Sequence, residues 1–267
     1  MDLGPRILLI PLGRPETLFG LGPIHATLDR AEIPMATGPW LAGPGGRPSA
    51  AGLGVLVDDA FGQAILSPRG LDGWSVTTEL SLDIAAPLPT DGREVLATGE
   101  PVMLDDGGGL ARGRVTAADG RVLAIGTTWH RYVPGVPASV LEPAPPPPVA
   151  PRGADLADLL AVEPCAELVL PVRPDLANPS EVVHGGILAT LVMMLGEREW
   201  AGSDLALAAV NVRYLRPAVG VVTFRTVVEH AGRSLALVRV EARTATGKLC
   251  AAGTVTGRTS VAATPAR

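Results

Sequence analysis

The chain has 267 residues, 47% of them hydrophobic, and a formal net charge of −5, enough for one large or two ordinary domains with buried cores. Lys and Arg never cluster, which makes nucleic acid and anionic membranes poor partners. Two distant cysteines and four dispersed histidines give neither a disulfide framework nor a metal-ligand spacing, so no metal is expected.

In chain order, the apolar run near the N-terminus is short and broken by proline. It suits neither a signal peptide nor a membrane span, and a cytoplasmic protein is the expectation. "PIHATLDR" (23–30) reads as an extended segment, and an apolar helix follows over 50–66. "WSVTTELSLDI" (74–84) has the β-branched pattern of a strand, and "AADG" (117–120) that of a hairpin turn. "PGVPASVLEPAPPPPVAPRGAD" (134–155) is a proline-rich, nearly uncharged connector. Beyond it come an extended segment "AELVLPVRP" (166–174) and a second apolar helix over 184–201. Strands "GVVTFRTVVEH" (220–230) and "SLALVRVEART" (234–244) and a turn "TATG" (244–247) complete the second half. The expected division is residues 1–133, a linker 134–154, and residues 155–267.

The two parts repeat each other. "DGRVLAIGTTW" (119–129) matches "TGKLCAAGTVT" (246–256), "TELSLDIAAPLPTDG" (78–92) matches "AVNVRYLRPAVG" (209–220), and "LVDDAFGQA" (56–64) matches "LVMMLGERE" (191–199). The offsets drift by only a few residues, as loop-length changes would make them. A helix apolar nearly all round is buried, so each half is expected to be α+β, a sheet wrapped around one central helix.

"NPSEVVHGGILATLV" (178–192) resembles the signature of the hotdog-fold acyl-CoA thioesterases of the phenylacetyl-CoA and 4-hydroxybenzoyl-CoA type. That pattern is Asn, then His-Gly-Gly, then an Asp nine residues after the His. The resemblance covers most of 155–258 and, more weakly, most of 20–133. It implies a tandem double hotdog, two curved antiparallel sheets each wrapping a helix, packed as a pseudo-dimer. Family sites lie between two protomers, with Asn and His-Gly from one and Asp and a Ser or Thr from the other. Here the acid position after His184 is Met193, and the hydroxyl position is Leu207. The first half is the reverse: Asp58 and Thr77 stand at the acid and hydroxyl positions, while Ser49 replaces the His. The losses are complementary, so one composite site of Asn178, His184, Gly185, Asp58 and Thr77 is expected, and one silent interface.

The resemblance implies hydrolysis of an acyl-CoA or acyl-carrier thioester, with CoA as part of the substrate and no cofactor. The Gly185 N–H, at a helix N-terminus, is the expected oxyanion donor. Asp58 is the expected base or nucleophile, with Thr77 and Asn178 beside it and His184 orienting the helix start. Gly186 and Arg233 are expected to contact substrate, Arg233 through CoA phosphates. Asp59 is the fallback acid, expected to face elsewhere than Asp58 because adjacent helical residues diverge by about 100°. Glu197 is expected on the helix surface, Met193 and Met194 in the core or the acyl-pocket wall, and Trp74, Trp129 and Trp200 in packing roles. Two other functions stay open: a non-catalytic acyl-CoA or carrier-protein binding module, and a hotdog hydratase. A homodimer of such chains is compatible with exposed strand edges.

Overall fold

The computed structural model describes residues 9, 11–70, 73–142, 153–163, 165 and 167–259. A short helix α1 (Arg14–Phe19) leads into β1 (His25–Ala26), β2 (Ala31–Ala36) and the long helix α2 (Leu53–Leu66). Four strands follow: β3 (Trp74–Ile84), β4 (Glu94–Asp105), β5 (Gly108–Ala117) and β6 (Val122–Val133). Two short helices, α3 (Ala138–Leu141) and α4 (Leu156–Leu160), precede β7 (Glu167–Pro171) and the second long helix α5 (Gly185–Arg198). Strands β8 (Leu205–Tyr214), β9 (Val221–Ala231), β10 (Leu235–Thr244) and β11 (Leu249–Thr259) complete the chain. The proline-rich centre of the expected linker lies outside the described residues.

The strands make one continuous antiparallel sheet in the order β1-β2-β4-β5-β6-β3-β8-β11-β10-β9-β7. Apart from the two-residue β1, the order is the same from either edge. β2-β4-β5-β6-β3 mirrors β7-β9-β10-β11-β8, and the halves join at β3 and β8. The seam is a full ladder from Glu79↔Arg213 to Asp83↔Ala209. Asn211 strengthens it by donating to Glu79 Oε1 and Ser81 Oγ, both at 2.7 Å.

Helix α2 is buried along its whole length, as its near-absence of polar residues predicts. It packs on β2 to β6, and α5 packs on β8, β10 and β11. The helices also pack on each other, at glycines. A Cβ on Gly54 would lie 2.3 Å from the Gly186 carbonyl oxygen, and one on Gly186 would lie 2.4 Å from the Val55 Cα. The contact is therefore backbone against backbone, which only glycine at both positions permits.

The repeat-based expectations for strands and helices hold with shorter ends: the first long helix begins at Leu53 and not at 50, and the second ends at Arg198 and not at 201. The extended segment expected at 23–30 contributes only His25–Ala26 to the sheet, and the main first strand is Ala31–Ala36. Trp74 and Trp200 are buried, but Trp129 is 43% exposed, because its strand turns that residue to the outer sheet face. Met193 and Met194 are fully buried core residues. No helix among the described residues is long and apolar enough to cross a membrane.

The glycine contact predicts that Gly54→Ala destabilises the fold by about 1–3 kcal/mol, as overpacking of a close interface does. A lowered urea midpoint with an unchanged slope is the expected measurement.

Candidate active site

The open end of the α2–α5 contact faces a cavity of about 430 Å³, lined from both halves by, among others, Asp58, Thr77, His130, Asn178, His184 and Gly185. Asp58 projects from the second turn of α2 toward the N-terminus of α5. A Cβ on Gly185 would lie 2.6 Å from Asp58 Oδ2, so the carboxylate rests directly over the Gly185 Cα. The other oxygen, Oδ1, accepts a 2.7 Å hydrogen bond from Thr77 Oγ1. A bulge explains how Thr77 reaches it: Thr77 pairs with His130 and Glu79 with Trp129, leaving Thr78 unpaired between them. Such a bulge re-aims the neighbouring side chain.

His184 caps α5. Its Nδ1 accepts from the Gly186 N–H at 3.0 Å, and its backbone carbonyl accepts from the Leu188 N–H. The Gly185 N–H has no partner among the described residues, as expected at the first helical position. The Gly185 carbonyl accepts from Tyr214 Oη at 3.0 Å, which ties this first turn to β8. Asn178 lines the cavity, and its Oδ1 accepts from the Ser180 N–H at 2.9 Å. It thus braces the loop before α5.

The opposite edge of the His184 ring meets two acids. Nε2 lies 3.2 Å from Asp59 Oδ1 and 3.4 Å from Glu16 Oε1, and all three side chains are buried. Asp59 thus shares a partner with Asp58, contrary to the divergence expected of adjacent residues. The imidazole is wide enough to bridge them, with Nδ1 3.5 Å from Asp58 Oδ2. Burial raises Asp59 to about 7, with Glu16 adding to the rise and His184 opposing it. Burial opposes a charge on His184 while Asp59 and Glu16 favour it; because Nδ1 accepts from Gly186, the proton these groups favour is shared across the Nε2 edge with the carboxyls and is not on Nδ1. The hydrogen-bond geometry locates the proton: Nδ1 must be bare to accept from Gly186, so the proton lies on the Nε2 side, between ring and carboxyls. The same tautomer makes Glu16, Asp59 and His184 a poor metal site, although their donor atoms lie within 4.8 Å of one another. A metal on Nε2 would force a proton onto Nδ1, against the Gly186 N–H.

Two expected contacts are corrected. Gly186 spends its N–H on His184 and its surface on α2, so it packs the helices together and does not face the cavity. Arg233 lies in the turn between β9 and β10, away from the cavity, which Arg131 and Arg216 line instead. Three cavity residues had no sequence signal: Glu16, Tyr214 and His130. His130 contacts Ser75 Oγ and Thr128 Oγ1, and burial lowers it to about 3, so it is neutral.

The counterpart interface is built differently. Leu207 stands beside the matching bulge at Ala208, and Met193 is buried. Ser49 Oγ accepts from the Ala51 N–H and donates to Glu197. Glu197 is therefore not a surface residue. Burial raises its carboxyl to about 7, although Ser49 and Arg47 pull it down.

Sequence comparison identifies two matching family models. One, the acyl-CoA thioesterase N-terminal domain, matches residues 173–257, and the other, the acyl-CoA thioesterase C-terminal domain, matches residues 23–127. The two kinds of half thus occur here in the opposite order. No curated protein matches the chain by sequence. Among solved structures, a putative oleoyl thioesterase from Lactobacillus plantarum is 16% identical with a TM-score of 0.61, over 88% of this chain and 98% of that one. The tesB protein of Mycobacterium avium subs paratuberculosis is 17% identical with a TM-score of 0.60, over 93% and 99%. A 12:0-ACP thioesterase from Umbellularia californica is 13% identical with a TM-score of 0.60, over 86% and 94%. At these identities the likeness is one of fold.

The half-buried Glu197 gives a pH prediction. Its folded pKa exceeds the unfolded value of 4.5, so its stabilisation is full in acid and is lost as pH rises through about 7. Asp59 acts in the same direction. Stability should therefore fall between about pH 5 and 8, and Glu197→Gln should reduce that slope without abolishing it, as read from urea midpoints at the two pH values.

Proposed function

The chain belongs to the acyl-CoA thioesterase family, and from that membership we propose that it hydrolyses acyl thioesters at one composite site in a tandem double hotdog. The halves would be residues 1–133 and 155–267, joined by the linker and packed as a pseudo-dimer. The mirrored strand order supports this. One observation carries the site: the carboxylate of Asp58, from the first half, lies over Gly185 at the helix start of the second.

The chemistry follows from that contact. A thioester carbonyl placed over Gly185 develops negative charge on its oxygen as it is attacked. The Gly185 N–H, unpaired and at the positive end of the helix dipole, stabilises that charge by about 3 kcal/mol. A Cβ at 185 would collide with Asp58, so glycine is what lets acid and donor share one small volume. Asp58 Oδ2 takes the proton of an attacking water, or attacks the carbonyl itself; both routes need the same oxyanion donor. Thr77 fixes the carboxylate through Oδ1. The thiolate of CoA leaves and is protonated. His184 holds the helix start, and Asn178 holds the loop in front of it.

Leu66, Trp74, Val76, Val133 and Leu188 supply an apolar wall suited to the acyl group. Arg131 and Arg216 are the cations placed to meet phosphates of CoA, or of the pantetheine arm of a carrier protein. No further cofactor is required, and CoA is part of the substrate. A cytoplasmic location and pairing of two chains through the sheet edges fit this reading. The meeting of Asp58, Thr77 and Gly185 favours an enzyme over a non-catalytic binding module. A hydratase would instead need an acid–base pair at the loop before α5, where Asn178 is engaged in bracing the turn.

Asp58→Asn should lower thiol release from acyl-CoA by about a thousandfold or more while leaving the unfolding transition in place. Met193→Ala, in the counterpart interface, should change the rate by less than about fivefold. Full activity in the Asp58 variant would sink the composite site.

A further inference from the structure

Helix α1 brings a buried acid to this site from outside the regions that either family model covers, which begin at residue 23. Glu16 is 2% exposed. Its Oε1 faces His184 Nε2 at 3.4 Å, and among the described residues neither its Oε2 nor Asp59 Oδ2 has a hydrogen-bond partner. Oε2 lies where a Cβ on Gly13 would be, 2.7 Å away, so the cap of α1 is a glycine that leaves room for it. Burying a carboxyl with an unpartnered oxygen is costly, and a structural role for α1 would be served as well by an apolar residue.

We propose that Glu16 is a positioning residue of the hydrolytic site. Its carboxyl and that of Asp59 clamp the Nε2 edge of His184, which keeps Nδ1 bare to cap Gly186 and so holds the Gly185 N–H on the thioester oxygen. The inference rests on the thioesterase reading. Two carboxyls around one N–H cannot both be charged without a large cost. The group therefore keeps a proton on the Nε2 side, and that proton fixes the tautomer from the ring edge opposite Gly186. If Glu16 were lost, Asp59 alone would face the ring. The imidazole would then be free to rotate or to carry its single proton on Nδ1 in place of Nε2, and the first turn of α5 would lose its cap. The other ionisable groups facing His184 are Asp58 on α2 and Tyr214 on β8. His130 on β6 and the rim residues Arg131 and Arg216 line the same cavity.

The test uses the full chain. The kcat and KM for acyl-CoA are measured by thiol release between about pH 5 and 9 for wild type, Glu16→Gln and Glu16→Ala. The imidazole nitrogen shifts of His184 are followed over the same range. In Glu16→Ala, kcat should fall about tenfold to a hundredfold with KM changed less than about twofold, and the Nε2–H tautomer seen in the wild type should lose its dominance. Glu16→Gln keeps an oxygen on Nε2 but removes the second charge. It should retain most of kcat and move the inflection of the rate profile to lower pH, because Glu16 helps to raise Asp59. Unchanged kcat and unchanged nitrogen shifts in Glu16→Ala would overturn the proposal. If that variant does not fold, Glu16→Gln decides alone: a displaced inflection supports the role and an unmoved one overturns it. A wild-type protein that releases no thiol from any acyl-CoA refutes the thioesterase reading instead, and the nitrogen shifts still report whether Glu16 sets the tautomer.

Discussion

The backbone contact between the two long helices is the constraint on which the rest depends. Gly54 and Gly186 let α2 and α5 approach until carbonyl oxygen and Cα touch. That closeness brings Asp58, one turn further along α2, over Gly185. A larger residue at either glycine would move Asp58 away from Gly185. The two belong to different halves of the chain, so their contact depends on that close approach. The β3–β8 ladder fixes the remaining freedom by holding the halves in one sheet.

Charge burial is the second organising fact. Asp58, Asp59, Glu16 and His184 share one nearly water-free corner, and the arrangement separates their tasks. Asp58 spends one oxygen on Thr77 and keeps the other over the cavity. Asp59 and Glu16 face the Nε2 edge of the imidazole and line the same cavity as Asp58. The histidine thus separates Asp58, at its Nδ1 edge, from Asp59 and Glu16, at its Nε2 edge. A neutral His130 nearby adds no charge to the balance.

The two interfaces of the mirrored sheet have diverged in kind. One holds the acid, the hydroxyl and the helix cap. The other has a buried methionine and leucine at the matching places, with a Ser49–Glu197 hydrogen bond beside them. Ser49 occupies the position of the capping histidine but accepts from the Ala51 N–H in the turn before α2, which has no side-chain cap.

The sequence by itself determined the repeat, the two buried helices, the family resemblance and the pairing of Asp58 and Thr77 with His184 and Gly185. These are read from spacing along the chain, and spacing is preserved when helices and strands are regular. It assigned Gly186 and Arg233 to substrate, since a motif gives no direction in space for a glycine or a strand-end charge. Only the tertiary structure decided that Gly186 faces α2 and that Arg131 and Arg216 line the cavity. It alone brought Asp59, Glu16 and Glu197 inside. The physical reason is the same in each case. Burial and proton position depend on what packs against a side chain from other elements, which spacing along the chain does not report.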